Sequence, residues 1–518
     1  MTICSVITDD SIKWAMEFIR KQSDGDICPS IPEFEPVASR VNDFIADLKT
    51  NKNLYNQISA NRNFHILKTD NSYRTVNQLY PLDSIIYTAI IYQFAGGIEK
   101  RRLGNDVIFS HRFKPTSKHE LYPDSRAWNN FWEMALSMSS RFDRIIYCDI
   151  ADFYNQIYHH TIENQLEQSQ FPKAGIKWIL SLLKNISGNI SRGIPTGPHA
   201  SHIVAEATLI PLDDALKSKN IIFLRYVDDI LIFCPKDKSP QTILMHVGQT
   251  LDTQQRLRLQ ETKTRIYNPH DFQLKCEEMI ENRPINEDED KIIKIIDKYS
   301  KGDPYKQITY EDISIEDWET LDESVIKKIL NEYLSVSEPN YIKISWFYRR
   351  LAQTGHSGAV SFSIQNMATL LPCISSVSRY ISGVKKISKE QWENIGEDLV
   401  KILDMREIRD NNFLMISLLS LFSKNSDINH FHSLVGKYGS APQDIERELF
   451  LSAKVNRASA WLSEHKSKFT QMNDWQKMAY IYSLSVLPND EKKHFLNSIK
   501  DRLTNSFEYV LWEWSKAQ

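Results

Sequence analysis

The chain has 518 residues, 42% of them hydrophobic and 25% charged, with a formal net charge of −3. That length exceeds one ordinary core, so two or more domains are predicted, and the composition excludes a disordered or fibrous protein. No run reaches the length of a membrane span, the stretch Ile3 to Val6 lacks a basic flank, and the six cysteines show no paired spacing, which leaves a cytoplasmic protein without disulfide or zinc framework as the expectation.

Residues 1–60 read as an N-terminal helical extension, broken at Cys28-Pro29-Ser30-Ile31-Pro32-Glu33 and restarted near Val37 to Leu48. From 61 to 282 strands and helices alternate. An extended Phe64 to Val76 precedes a helix from about Leu82 to Arg102, then come a strand ending at Asp149, a helix over Thr161 to Ser187, a glycine loop at Gly193, a helix through Ser201 to Ser218, a hairpin around Asp228 and a helix near Gln241 to Gln255. After Glu281 to Asp290, where Pro284 and the acidic run Glu287 to Asp290 interrupt the pattern, the strand signal ends. Residues 283–518 show only helical periodicity, as in Glu323 to Ser335, Ser361 to Leu371, Trp392 to Met405, Phe413 to Ser423, Ile445 to Ala453 and Trp475 to Ser485. Antiparallel helix pairs every 35 to 45 residues or so would build an α-solenoid of the HEAT kind, with an irregular helical bundle as the rival.

Net acidity is unusual for a protein that handles phosphates. The basic excess is local: residues 60–120 hold nine Lys or Arg against five Asp or Glu, with Glu99 to Arg102 read either as phosphate contacts or as a solvated helix end.

The carboxylates carry the chemistry. Ile221 to Phe233 clamps two apolar β-branched runs around Asp228-Asp229, and adjacent acids at a buried hairpin resist ionisation unless a cation neutralises them, which points to Mg²⁺. Arg144 to Tyr154 reads as a buried strand ending in Asp149, and phosphoryl transfer with two metals needs carboxylates from separate strand ends to converge. By contrast Asp213-Asp214 looks like a helix surface, His159-His160 like a surface feature, and Cys148 and Cys234 like small core residues. Gly193, Pro195 and Gly197 shape a tight loop that a nucleotide can approach.

At these residues the chain resembles a reverse transcriptase. The Asp149 segment is similar to the family's first catalytic motif, Tyr226-Val227-Asp228-Asp229 to its hallmark, and Gly193 to Ser201 to the loop and helix between them. Tyr73 to Val76 with Pro81-Leu82-Asp83 resembles the fingers, and Glu261 to Thr264 the later lysine motif, over roughly residues 60 to 275 in all. The resemblance implies an α+β fingers-palm domain over 61–282, with 1–60 packed on the fingers and the all-α region over 283–518 behind. It implies two Mg²⁺ ions, replaceable by Mn²⁺, on Asp149, Asp228, Asp229 and the Ile150 backbone. Tyr154 would be the steric gate against ribonucleotides. Lys68 and Arg74 would meet the triphosphate, Lys263 would protonate the leaving pyrophosphate, and Asp152, Gly197 and Tyr226 would complete the nucleotide site.

Thr196 and Glu206 stand where template-copying relatives have Gln and Asn. Those departures and the helical C-terminal region are similar to the abortive-infection (Abi) reverse transcriptases of bacterial phage defence, AbiK-like and of the type carried by P2 prophages. That group implies untemplated polymerisation of deoxynucleoside triphosphates, a single-stranded DNA product attached to a protein hydroxyl, and a homo-oligomer. Tyr55 and Tyr73 are priming candidates. An RNA-templated reverse transcriptase with a partner RNA is one alternative. A non-catalytic defence protein that senses nucleic acid or recruits a partner is another.

Overall fold

The computed structural model describes residues 6–23, 25, 27–50, 58–69, 72–122, 126–280, 284–300, 308, 312–439 and 442–518. The chain packs as two compact units, Met1–Asp26, Val41–Arg62 and Asn77–Asn282 in one, Ile27–Arg40, Asn63–Val76 and Arg283–Gln518 in the other. Two segments therefore differ from their sequence assignment: 27–40 and 63–76 pack with the C-terminal helices rather than with the unit that holds Asp149.

The first unit is built on a four-stranded antiparallel sheet in the order β4-β5-β3-β6, where β3 is Arg144–Asp149, β4 is Ile222–Tyr226, β5 is Asp229–Cys234 and β6 is Arg265–Tyr267. Central β3 and β5 bury residues on both faces, which is why their sequences run apolar without alternation. Helices Ala127–Ser139 and Pro269–Ile280 pack together, contacting β4 and β3, while His199–Ser218 contacts β4 and Pro240–Thr250 contacts β3. Phe131, Trp132 and Phe272 join Ile145, Leu224, Leu231 and Phe233 in one core cluster, and each such side chain contributes about 1.5–3 kcal/mol by leaving water. The helix Asp9–Gln22 lies on Pro81–Phe94, with Trp14 stacked on Tyr92 at 4.2 Å.

Several local expectations are revised. The helix over Thr161 to Ser187 is two helices, His159–Gln168 and Lys173–Ile186, because Pro172 cannot continue the first. The acidic run Glu287 to Asp290 starts the helix Glu287–Ser300, where four carboxylates in the first turn face the positive end of the helix dipole. Asp213 is buried rather than on a helix surface, while Asp214 is exposed. Cys148 and Cys234 are buried core residues.

β1 (Arg62–Thr69) and β2 (Ser72–Gln78) form a two-stranded ribbon whose residues 63–76 belong to the second unit, and Phe64, Ile66 and Val76 join the apolar cluster of the C-terminal helices. From 284 onward the described residues contain no strand. Helices beginning at residues 341, 374, 412, 443, 474 and 506 each contact the next in series. Residues 27–40 attach through Glu33, which accepts two bonds from Arg447 at 2.7 and 2.9 Å, and through Phe34, whose ring lies 5.9 Å from that of Phe507. Arg447 also pairs with Glu448 and sits over the Trp475 ring, so a buried cation holds two carboxylates. Among the described residues no helix is long and apolar enough to cross a membrane.

Candidate active site

The β4–β5 hairpin turns through only two residues, Val227 and Asp228, because Tyr226 pairs with Asp229. Val227 has φ +53°, a left-handed conformation that costs a β-branched residue about 1–2 kcal/mol. That turn places Asp228 at the tip and starts β5 with Asp229, whose register partner on β3 is Asp149. Register and turn thus place Asp149, Asp228 and Asp229 at neighbouring backbone positions at one end of the two central strands.

Their electrostatics follow from crowding. Burial, reinforced by the charges of Asp229 and Asp149, pushes Asp228 up to about 7. Burial also lifts Asp229 to about 6, with Asp149 adding to the rise and the Tyr147 hydroxyl, which donates to Asp229 Oδ1 at 2.7 Å, opposing it. Lys263 Nζ touches Asp149 Oδ2. Burial works against the Lys263 charge, yet Asp149 and then Asp229 and Asp228 outweigh it and hold the amine above its usual range. Among the described residues no group of three His, Cys, Asp or Glu side chains is arranged to hold a metal ion. The Lys263 ammonium supplies a counter-charge at Asp149. The donors themselves, hard carboxylate oxygens that repel one another when ionised, suit Mg²⁺ or Mn²⁺.

Ile150 forms an antiparallel bridge with Leu259, whose two bonds, Gln260 N–H to the Asp149 carbonyl and Ala151 N–H to the Arg258 carbonyl, use the neighbours of Ile150. The Ile150 carbonyl is outside that pair of bonds. Asp152 is left-handed (φ 48°) and stands at the N-cap of the short helix Phe153–Gln156 without capping it through its side chain. Its carboxylate accepts from the side chains of Asn155 at 2.6 Å and Gln156 at 2.9 Å. Tyr154 lies beside them, and burial, then the nearby carboxylates of Glu206 and Asp228, keep its phenol protonated.

The glycine loop is tied to the same segment. Ile194 N–H donates to the Tyr154 carbonyl at 2.9 Å and Gly193 N–H to the Ile157 carbonyl at 2.8 Å. His159, expected on the surface, is buried, and its Nε2 bonds the Gly193 carbonyl at 2.8 Å. Gly193 (φ +96°) and Gly197 (φ +124°) adopt backbone that L side chains rarely reach. Thr196 is held through its backbone, its N–H on Asn77 Oδ1 at 3.0 Å and its carbonyl on the Asn77 N–H at 2.9 Å.

Tyr226 faces Trp128 at 5.0 Å and His111 at 6.1 Å. His111 stacks on His202 at 4.4 Å, and the Tyr122 hydroxyl bonds Nδ1 of both His199 and His202 at 2.6 and 2.8 Å. Burial pushes His111 down to about 4 and holds His202 well below the usual imidazole range, so these two rings are neutral at pH 7.

Lys68 and Arg74 are exposed on β1 and β2, in the second unit. Tyr73, 63% exposed, lies on β2 as well, and Tyr55 falls outside the described residues. Much of the basic excess of residues 60–120 is engaged internally. Arg102 pairs with Glu206 and Glu99, Arg112 with Glu99, and Arg101 bonds Gln165, Gln168 and Ser169. Glu206 is fully buried, so its departure from Asn is an internal charge rather than an altered nucleotide contact.

An antiparallel sheet places Asp149, Asp228 and Asp229 at its hairpin end, with the Lys263 amine beside Asp149. The chain matches the family described as "Reverse transcriptase (RNA-dependent DNA polymerase)" over residues 66–324, half of its 518 residues. It belongs to the reverse transcriptase family. Among solved structures, the telomerase of Candida albicans in complex with a TWJ fragment of telomeric RNA is similar at 13% identity and a TM-score of 0.31, covering 73% of this chain and 69% of that one. No curated protein matches the chain.

Proposed function

We propose that the protein polymerises deoxynucleotides at Asp149, Asp228 and Asp229, without a template and from a hydroxyl of the protein itself, as an abortive-infection enzyme of phage defence. The observation that carries the catalytic part is the register pairing of Asp149 with Asp229 beside the Asp228 turn. Asp149, Asp228, Asp229 and the Ile150 carbonyl would hold two Mg²⁺ or Mn²⁺ ions. When bound, such ions neutralise the phosphates and lower the pKa of the attacking hydroxyl.

The remaining roles belong to the chain's own groups. Tyr147 orients Asp229 through its hydroxyl. Lys263 moves from Asp149 toward the pyrophosphate and donates the proton that group needs on leaving. Tyr154 lies under the sugar and excludes a 2′-hydroxyl, Gly197 lets the backbone approach the nucleotide, and Tyr226 and the Asp152 backbone border the site. The helices that contact one another in series support a HEAT-like repeat, and the protein acts as a homo-oligomer in the cytoplasm.

Support for untemplated synthesis comes from Thr196, which stands where most template-copying relatives have Gln; Glu206, held by Ser110, Arg102 and Arg225, is an internal charge and does not bear on template reading. The test is incubation with each deoxynucleotide and Mg²⁺, with and without defined RNA, followed by sequencing of the product and mapping of any tyrosine adduct. Product sequence that follows the RNA would replace this reading with the templated one. Tyr154→Ala is expected to admit ribonucleotides, read as the ratio of kcat/KM for ribo- over deoxynucleotide rising about 10-fold or more.

A further inference from the structure

Val227 is the strained residue of the hairpin, and both of its backbone polar groups are held by side chains. Its N–H donates to Ser110 Oγ at 2.9 Å, and its carbonyl accepts from Arg225 NH1 at 2.9 Å. Neither bond belongs to the sheet.

The two holders are themselves fixed. Ser110 Oγ donates to Glu206 Oε1 at 2.5 Å, and Arg225 NH2 donates to Glu206 Oε2 at 3.0 Å, so one carboxylate orients both. Arg225 also grips Asp213 through Nε at 2.8 Å and NH2 at 2.7 Å. Arg102 donates to Glu206 at 2.8 Å and to the Ser110 carbonyl at 2.7 Å. The segment bearing Ser110 is pinned to β4 by bonds from Phe109 N–H to the Arg225 carbonyl and from Arg225 N–H to the Val107 carbonyl.

Ser110, Glu206 and Arg225 are all buried completely, and the two arginines balance Glu206 and Asp213 in charge. Paired charges of this kind are costly to bury and contribute little net stability, which directs attention to what they position. Here they end on Val227, the left-handed turn residue that immediately precedes Asp228 and Asp229.

We infer that Ser110, Arg225 and Glu206 are positioning residues for the catalytic turn: they clamp the Val227 peptide groups in the left-handed conformation and so fix the spacing of the Asp228 and Asp229 carboxylates for metal binding. The inference rests on the assignment of those two acids as the metal site. It also explains why a glutamate suits position 206, since only an anion there can accept from Ser110 and both arginines together.

The hydroxyl of Ser110 is the link that can be removed without leaving a buried charge. Full-length Ser110→Ala, Val227→Gly and the double variant are compared with the parent, with Ser110→Cys as a near-isosteric second variant that keeps a weak acceptor. Two readouts are used: the Mg²⁺ concentration that gives half of the Mg²⁺-induced rise in Tm, which needs no product, and kcat and KM for nucleotide incorporation. Ser110→Ala is expected to raise the half-point concentration and lower kcat by about 10-fold, with Ser110→Cys between it and the parent and KM within about twofold. In the Val227→Gly background, where glycine reaches positive φ without strain, the same substitution is expected to change both by less than about threefold. An unchanged half-point in Ser110→Ala, or an equal loss in both backgrounds, would overturn the clamp while leaving an active parent's catalytic assignment intact. A shifted half-point in a protein that incorporates no nucleotide would support the clamp and count against the polymerase reading.

Discussion

At the scale of single residues, the site is a concentration of carboxylates that resist being charged together. Asp228 and Asp229, raised to about 7 and about 6, ionise later in the folded protein than in the unfolded chain. The stability they contribute is therefore complete below the unfolded value and is lost as pH rises through about 6 to 7, because the unfolded chain releases their protons more readily. Two outcomes are expected. Without metal, Tm falls from about pH 4 to about pH 7, where the unfolded chain has released protons that the folded protein still holds, and Asp228→Asn removes its part of the slope while stabilising the protein by about 1–2 kcal/mol at pH 8. With Mg²⁺ the stabilisation grows over the same interval, since binding must displace the remaining protons, and thermal unfolding at a series of pH values reads both. That Asp149 and the Asp228-Asp229 turn fall at neighbouring strand ends was legible in the sequence, because an acidic pair between apolar β-branched runs has few physical explanations. Glu206, Asp213 and Ser110 were not, because each is explained by a partner 12 to 117 residues away that no local pattern announces.

At the scale of elements, the order of strands and helices in the first unit follows the hydrophobic periodicity, and the exceptions have identifiable causes. The helix Ala127–Ser139 escaped the reading because it opens without a side-chain cap bond and mixes polar residues into an aromatic face. β6 has only three residues, two of them exposed, too short for alternation to register. His159 shows how a polar residue at a helix start is recruited to hold a loop rather than to meet solvent. The elements around the hairpin also predict the cost of disturbing it. Glu206→Gln leaves the Arg102 and Arg225 charges in excess in a buried site, and is expected to destabilise the first unit by about 3–5 kcal/mol in denaturant unfolding. Trp132→Ala empties the aromatic core under the sheet and is expected to cost about 3–5 kcal/mol in the same experiment.

At the scale of the whole molecule, two compact units share one chain whose segments cross between them in sequence. A sequence reading naturally cuts the chain into consecutive pieces, so 27–40 and 63–76 were assigned by neighbourhood; the bonds that attach 27–40, from Arg447 to Glu33, span more than four hundred residues. Arg447→Met removes the cation that holds Glu33 and Glu448 in the second unit. It is expected to lower the stability of that unit by about 3–5 kcal/mol, visible as loss of hydrogen-exchange protection in residues 27–40 together with the helices Gln443–Val455 and Asp474–Ser483. Membership of the reverse transcriptase family and the acid cluster in the first unit converge on nucleotide polymerisation, and the central claim is that Asp228 is part of its catalytic centre. The most direct measurement is DNA synthesis by the purified full-length protein given deoxynucleotides and Mg²⁺ alone, in parallel with Asp228→Asn. The account predicts product from the parent and none from the variant, whereas undiminished synthesis by Asp228→Asn would contradict it.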